Sequence, residues 1–137
     1  MIYLDSNFTL YKAYTCGGFL YQKEESNATI IISRSNFKQT NEVFDPKNIY
    51  NLLNGTITIM QAFKVNLTCN TFQNHYTIAG IGVIFVKHSQ FSDFNSTYQN
   101  NIAYKGTAIY LEQCQETNII SSKFLNFKGS SITDHVK

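Results

Sequence analysis

The chain has 137 residues, the length of one ordinary domain, and a net charge of only +2. Hydrophobic residues make up 43% and charged residues 15%, which excludes a disordered chain because enough apolar surface exists to offset chain entropy. The basic residues are scattered singly and no apolar run reaches the ~20 residues of a membrane helix, so neither a nucleic-acid partner nor a membrane span is predicted.

The N-terminus, residues 1–5, lacks the charged and apolar regions of a signal peptide. Short β-branched runs bounded by Gly, Asn or Ser then follow along the chain at 29–32, 56–59, 81–86 and 118–120. Runs of this length and composition are typical of strands. The sequence therefore predicts an all-β fold.

A motif of small polar residue, any residue, aromatic, any residue and Asn recurs at 70–74, 96–100 and 122–126, and its first half occurs at 6–8 and 35–37. Its aromatic positions lie 29, 35, 26 and 26 residues apart. The longer spacings require insertions, and the polar segments 38–47 and 51–55 are predicted to be those loops. The aromatic positions are Phe8, Phe37, Phe72, Tyr98 and Phe124.

An aliphatic residue follows the aromatic one after 11 or 12 positions, at Leu20, Ile49, Val83 and Ile109. Residues five or seven positions before the aromatic one are also apolar, but Asp93 interrupts this phase after Phe91. We therefore expect that part of the chain to slip in register, or Phe94 to turn inward.

Such a period predicts a parallel β-helix, because one coil cannot bury its apolar face alone and stacked coils bury a continuous core. Equivalent side chains would then form one aromatic and one aliphatic ladder. Gly17, Gly80 and Gly106 are predicted at the sharp corners, where a positive φ suits glycine. We expect one domain over residues 1–137, with about five coils.

Two segments, 17–21 (GGFLY) and 106–110 (GTAIY), together with the Ser-x-Phe-x-Asn turn, resemble the right-handed parallel β-helix repeats of the pectin-lyase-like superfamily. The likeness is strongest to repeat arrays of large surface and secreted proteins, and it covers about residues 6 to 132. It implies a right-handed solenoid and leaves the function open. Chain segments beyond this one, or identical subunits stacked end to end, are the expected partners, because solenoid ends expose strand edges.

Enzymes on this fold use clustered carboxylates, which glycoside cleavage requires. Here the one adjacent acidic pair, Glu24 and Glu25, lies in a polar segment, and Arg34 is the only arginine. We expect no catalytic, cofactor or metal site. The histidines, His75, His88 and His135, are predicted to be surface residues.

Three cysteines, Cys16, Cys69 and Cys114, leave two alternatives open: buried thiols, or one disulfide with one free thiol. A column of Tyr21, Tyr50 and Tyr110 is predicted beside the aliphatic ladder. It would either pack internally or form an exposed stacking platform for sugars or a partner.

Five N-x-S/T sequons occur and indicate possible N-linked glycans in a secreted or surface protein. Asn-rich turn chemistry gives the same pattern. The leading hypothesis is a non-catalytic structural or interaction scaffold of an extracellular or cell-surface glycoprotein that assembles into filaments. The alternative is a carbohydrate-binding or polysaccharide-cleaving β-helix module. The sequon asparagines are Asn7, Asn27, Asn54, Asn66 and Asn95.

Overall fold

The computed structural model describes residues 2–4, 7–9, 20–22, 26–38, 56–75, 81–103, 106–127 and 132–135, and fifteen short strands lie within them. In chain order these are β1 (Ile2–Leu4), β2 (Asn7–Thr9), β3 (Leu20–Gln22), β4 (Ser26–Ser33), β5 (Asn36–Lys38), β6 (Ile57–Ile59), β7 (Ala62–Thr68), β8 (Thr71–Gln73), β9 (Ile84–Lys87), β10 (Gln90–Phe94), β11 (Thr97–Gln99), β12 (Ile109–Glu112), β13 (Thr117–Ile120), β14 (Lys123–Leu125) and β15 (Ile132–His135).

Each of the strands β1 to β12 pairs with the strand three places later in the sequence, and every pairing is parallel. The first sheet has the order β1-β4-β7-β10-β13, the second β2-β5-β8-β11-β14 and the third β3-β6-β9-β12-β15. Three consecutive strands therefore form one layer that lies on the preceding layer at the usual strand spacing of about 4.8 Å. The prediction of an all-β chain with parallel, stacked strands is confirmed, and the arrangement is consistent with a parallel β-solenoid.

The repeated aromatic residues occupy one register position of the second sheet. The backbone of Phe8 pairs with that of Phe37, and the pairing continues through Phe72 and Tyr98 to Phe124. Ring centroids of the last four lie 4.8, 5.0 and 5.2 Å apart, with interplanar angles of 6°, 12° and 5°. The strand spacing imposes this face-to-face stack, because equivalent side chains must lie directly over one another.

The aliphatic column of the third sheet differs from the predicted set at two positions. Leu20 pairs with Ile57, Ile57 with Ile84, and Ile84 with Ile109, so that Val83 lies one residue before the column. Val83 is nevertheless buried, since residues 83–86 of this segment are all covered. Ile49, the predicted member of the second layer, lies outside the described residues. The shift arises because the segment that joins the second sheet to the third has different lengths in different layers. Ile84 follows Phe72 by 12 positions and Ile109 follows Tyr98 by 11, so counting a fixed interval from the aromatic residue misplaces Val83 by one.

In the part of the chain that the structure describes, most corner residues with positive φ are not glycine. Gly106 has a φ of 47°, as predicted for a corner, while Gly17 and Gly80 lie outside the described residues. Nine other residues in the described part of the chain also have positive φ, with values from 48° to 63°. Each lies directly after the last residue of a strand, where the chain turns into the next sheet. They are Arg34, Cys69, Asn95 and Ser121 after the first sheet, Asn74, Asn100 and Asn126 after the second, and His88 and Gln113 after the third.

The third sheet is buried on both faces in its middle layers. Ile57 and Ile59 belong to the core, yet Thr58 between them is also fully buried. Phe85 and Tyr110 are both only 7% exposed, and their rings meet edge to face at 5.6 Å. Tyr110 is therefore packed and offers no exposed stacking platform.

Candidate functional site

A carboxyl group lies in the apolar core, at Asp93. The register aligns Asp93 with Leu67 on one side and Ile119 on the other, and Asp93 is only 1% exposed. The pairing runs through this position without a shift, and the neighbouring Phe94 points outward with half of its side chain exposed. The expectation of a register slip or an inward Phe94 was therefore wrong. Strand alternation places Asp93 inside.

Two hydroxyl groups from the second sheet and its preceding corner hold this carboxylate. Tyr98 Oη donates to Asp93 Oδ2 at 3.1 Å, and Ser122 Oγ donates to the same oxygen at 2.8 Å. The other oxygen, Oδ1, is buried and accepts no hydrogen bond from the described residues. Tyr98 thus differs from the stacked phenylalanines beside it for a reason. Its hydroxyl reaches Asp93, the one acidic side chain that is buried among the described residues.

Burial raises the pKa of Asp93 above its ordinary value of 3.8, and hydrogen bonds from neighbouring hydroxyls partly oppose the rise. Burial, reinforced by the nearby Asp93 charge, also raises the pKa of Tyr98 well above its usual range. The phenol therefore stays protonated and acts as a donor. The hydrogen bond from Tyr98 can lower the free-energy cost of burying the Asp93 charge. Both side chains, however, are buried away from solvent.

A second titratable group, His75, is also buried, with 4% of its surface exposed. Its Nε2 lies 3.2 Å from the Phe37 carbonyl oxygen and its Nδ1 lies 2.7 Å from Thr56 Oγ1. Since a carbonyl only accepts, Nε2 carries the proton, and Thr56 donates to Nδ1. Burial lowers the pKa of His75 to about 4, although the Phe37 hydrogen bond opposes this. The prediction that His75 is a surface residue was wrong.

The role of His75 is visible in the next layer. Asn101 lies 26 positions later, its Nδ2 donates to the Phe72 carbonyl oxygen at 3.2 Å, and its Oδ1 accepts from the His75 backbone N–H at 3.0 Å. The two side chains make the same contact to the aromatic residue of the layer below. His75 is therefore an asparagine substitute in a stacking ladder.

Similar ladders follow the first sheet. Ser35 N–H donates to Asn70 Oδ1 at 3.0 Å, Asn70 N–H to Ser96 Oγ at 3.2 Å, and Ser96 N–H to Ser122 Oγ at 3.2 Å. Each of these residues comes directly after a corner residue with positive φ. The small polar side chain satisfies a backbone donor that the corner removes from the strand ladder. These bonds fix one layer over the next.

An exposed amide ladder runs beside them. Asn100 Nδ2 donates to Asn74 Oδ1 at 3.3 Å, and Asn126 Nδ2 donates to Asn100 Oδ1 at 3.1 Å. All three asparagines have positive φ, which Asn tolerates better than other residues with a Cβ. The Asn of the repeated motif is thus explained by corner conformation together with stacking.

The sequons lie in different environments. Asn27 in β4 and Asn95 at a corner are exposed, whereas Asn66 is half-buried and its Oδ1 accepts from Ser92 Oγ at 2.7 Å. Asn7 lies in β2, and the structure describes its backbone alone. Asn54 lies outside the described residues.

The structure also locates one further histidine and two cysteines from the sequence analysis. His88 is exposed, as predicted, and Cys69 is an exposed thiol at a corner. Cys114 is buried, and its Sγ lies 3.6 Å from the Val86 carbonyl oxygen. Among the described residues, no three His, Cys, Asp or Glu side chains form a group that could hold a metal ion. No helix in that same part of the chain is long and apolar enough to cross a membrane.

Comparison with known proteins finds no matching family model, no significantly similar curated protein and no significantly similar solved structure. Sequence reasoning missed the Asp93–Tyr98 pair, although two signals were present. Tyr98 stands where the other layers have Phe, and Asp93 holds an inward phase five residues earlier.

Proposed function

We propose that this chain is a non-catalytic structural or interaction scaffold of an extracellular or cell-surface glycoprotein. Its fold would be a right-handed parallel β-helix of five coils, related to the pectin-lyase-like superfamily. Right-handedness follows the general rule that about 98% of parallel crossover connections are right-handed. The observation that carries the proposal is the unbroken stack of Phe37, Phe72, Tyr98 and Phe124, which makes successive layers one stiff unit.

The two buried titratable side chains support a scaffold role because both form hydrogen bonds that hold the layers together. Asp93 accepts from Tyr98 and Ser122, and His75 is held by Thr56 and the Phe37 carbonyl. A general acid or base must reach its substrate within hydrogen-bond distance. Groups with 1% and 4% exposure do not meet that condition.

A panel of polysaccharides tests this part against the carbohydrate-binding or carbohydrate-cleaving alternative. A scaffold neither depolymerises uronic-acid polymers nor binds them saturably. Cleavage by purified protein would overturn the proposal. Retention of the cleavage in a control with Asp93→Asn would show that the reaction arises elsewhere than at the buried carboxyl group.

The glycoprotein part rests on the exposure of Asn27 and Asn95, each in an acceptor sequence. The intact mass of protein from its native source tests it, followed by peptide mapping of each sequon. A mass equal to that of the bare polypeptide would remove this part and leave the scaffold itself standing.

Filament assembly is the proposed use of the stack's end. β13, β14 and β15 are the last strands of the three sheets, and partly buried Ile119, Phe124 and Phe127 lie against the core near that end. A strand edge with apolar side chains beneath it favours pairing with a further strand, which in this proposal comes from another copy of the chain. Light scattering and electron microscopy should show end-to-end oligomers, and Phe124→Lys should disperse them. Strictly monomeric protein at high concentration would refute assembly.

A further inference from the structure

A shallow groove of about 380 Å³ lies on the outside of the stack where the third sheet turns into the first. Buried Ala62 and Ser89 contribute to its floor, while exposed Phe63 and Gln115 and half-buried Gln90 line its sides. The described side chains that line it include several uncharged amides and the imidazole of His88, and no acid, Lys or Arg. Such a lining suits an uncharged polar ligand with one apolar face.

The sequon asparagine Asn27 belongs to this groove because of an irregularity in strand pairing. Ser26 pairs with Ala62 and Thr29 pairs with Lys64, so that Asn27 and Ala28 together lie opposite the single residue Phe63. A bulge of this kind re-aims a side chain. Asn27 and Phe63 lie on adjacent strands about 4.8 Å apart, and both line the groove.

Phe63 is a large apolar side chain that lies exposed on the surface. Its ring is 57% exposed, the largest exposed fraction among the big apolar side chains described. It lies beside an exposed acceptor asparagine and several side-chain amides. An aromatic ring next to amide donors and acceptors matches the two chemical faces of a pyranose ring, one of C–H groups and one of hydroxyl and acetamido groups.

We infer that this groove seats the first N-acetylglucosamine ring of an N-linked glycan carried by Asn27, an inference that rests on the proposed glycoprotein function. The attachment joins Asn27 Nδ2 to the anomeric carbon of a lipid-diphosphate-linked oligosaccharide. The anomeric C–O bond breaks, the lipid diphosphate leaves, and the amide loses one proton. The apolar face of the sugar then covers Phe63, while Gln90 and Gln115 bond to its polar groups.

Asn95 provides an internal control within the same molecule. It is also exposed and lies in an acceptor sequence, but it is a corner residue outside the groove lining. Its Nδ2 lies 3.6 Å from Cys69 Sγ. A glycan at Asn95 would therefore extend into solvent, and a glycan at Asn27 would be partly covered.

The test uses the full chain secreted from a eukaryotic host, with site occupancy measured by peptide mass spectrometry. An amidase that cleaves the Asn–sugar bond then acts on the native protein, and release is timed at each site. Covering about 50 Å² of apolar surface should slow release at Asn27 about tenfold relative to Asn95. Phe63→Ala should restore release at Asn27 and leave Asn95 unchanged, while the matched control Phe94→Ala should leave Asn27 protected.

The outcomes separate the inference from the proposed function. Glycan at Asn95 with a bare Asn27 refutes the groove alone, as does equal release at both sites or an Asn27 rate that Phe63→Ala leaves unchanged. Bare asparagines at every sequon would overturn the glycoprotein proposal and the groove with it. Thermal unfolding of each variant checks that the fold survives, which is expected because both phenylalanines are exposed.

Discussion

Replacing Asp93 and Tyr98 together should restore the stability that either replacement alone removes. The double variant Asp93→Leu/Tyr98→Phe gives this layer the same residues that the preceding layer already has, Leu67 and Phe72, at the paired positions. Those two are 1% and 0% exposed, so both side chains suit the site. The double variant should be at least as stable as the original chain, because an apolar pair replaces a desolvated carboxyl group.

Each single replacement leaves a buried polar group without its partner. Tyr98→Phe removes one of two donors to Asp93 Oδ2, and a hydrogen bond to a charged group contributes about 1.5–3 kcal/mol. Asp93→Leu leaves the hydroxyls of Tyr98 and Ser122 without their acceptor, at about 1–3 kcal/mol, offset in part by apolar burial. The expected coupling between the two changes is therefore about 2 kcal/mol or more.

Equilibrium urea unfolding of the four proteins at pH 7 measures this coupling directly. If the two single effects add to the double effect within about 0.5 kcal/mol, the proposed pairing is refuted. Because the folded-state pKa of Asp93 is raised, this group makes the protein less stable as the pH rises above 3.8 toward the folded value. Asp93→Leu should remove that part of the pH dependence.

Three further predictions concern the ladder and the corners. The folded pKa of His75 is about 4 against an ordinary 6.5, so stability is fully present above pH 6.5 and should fall by about 3 kcal/mol on acidification to pH 4. His75→Asn, which copies Asn101, should abolish that fall in urea titrations. Gly82→Ala should lower the unfolding free energy by more than about 3 kcal/mol, because a Cβ there would collide with the Gly106 backbone oxygen. Asn100→Gly should cost less than about 1 kcal/mol and Asn100→Val clearly more, since φ is 55° there.

Each of these three predictions has an outcome that would contradict it. A His75→Asn variant that keeps the full acid dependence of the original chain would contradict the role of His75. If Gly82→Ala unfolds at the same temperature as the original chain, the backbones at Gly82 and Gly106 are not in close approach. Equal stability of the two Asn100 variants would contradict the corner conformation, which is strained for a β-branched residue.

The sequence by itself determined the parallel, layered fold and the aromatic column. Residues 26 positions apart, such as Phe72 and Tyr98, carry like side chains because stacked strands bring equivalent positions together. Coils that bury one continuous core must carry similar side chains at equivalent positions, and this similarity can be recognised from the sequence alone. The position of the motif's Asn at a turn could also be predicted from the sequence, because Asn is a common turn residue.

Tertiary structure alone decided the position of the aliphatic column and the state of the interior polar groups. Unequal segments between the second and third sheets within each layer place Ile84 and not Val83 opposite Ile109. In the sequence, Asp93 interrupts the alternation of apolar residues along its strand. The hydroxyl groups that bind it lie outside that strand, on Tyr98 and on Ser122 of the next layer, so the strand's own pattern gives no sign of them. Local alternation records which face a side chain occupies, but the partners that make a polar group tolerable inside are set by packing between layers.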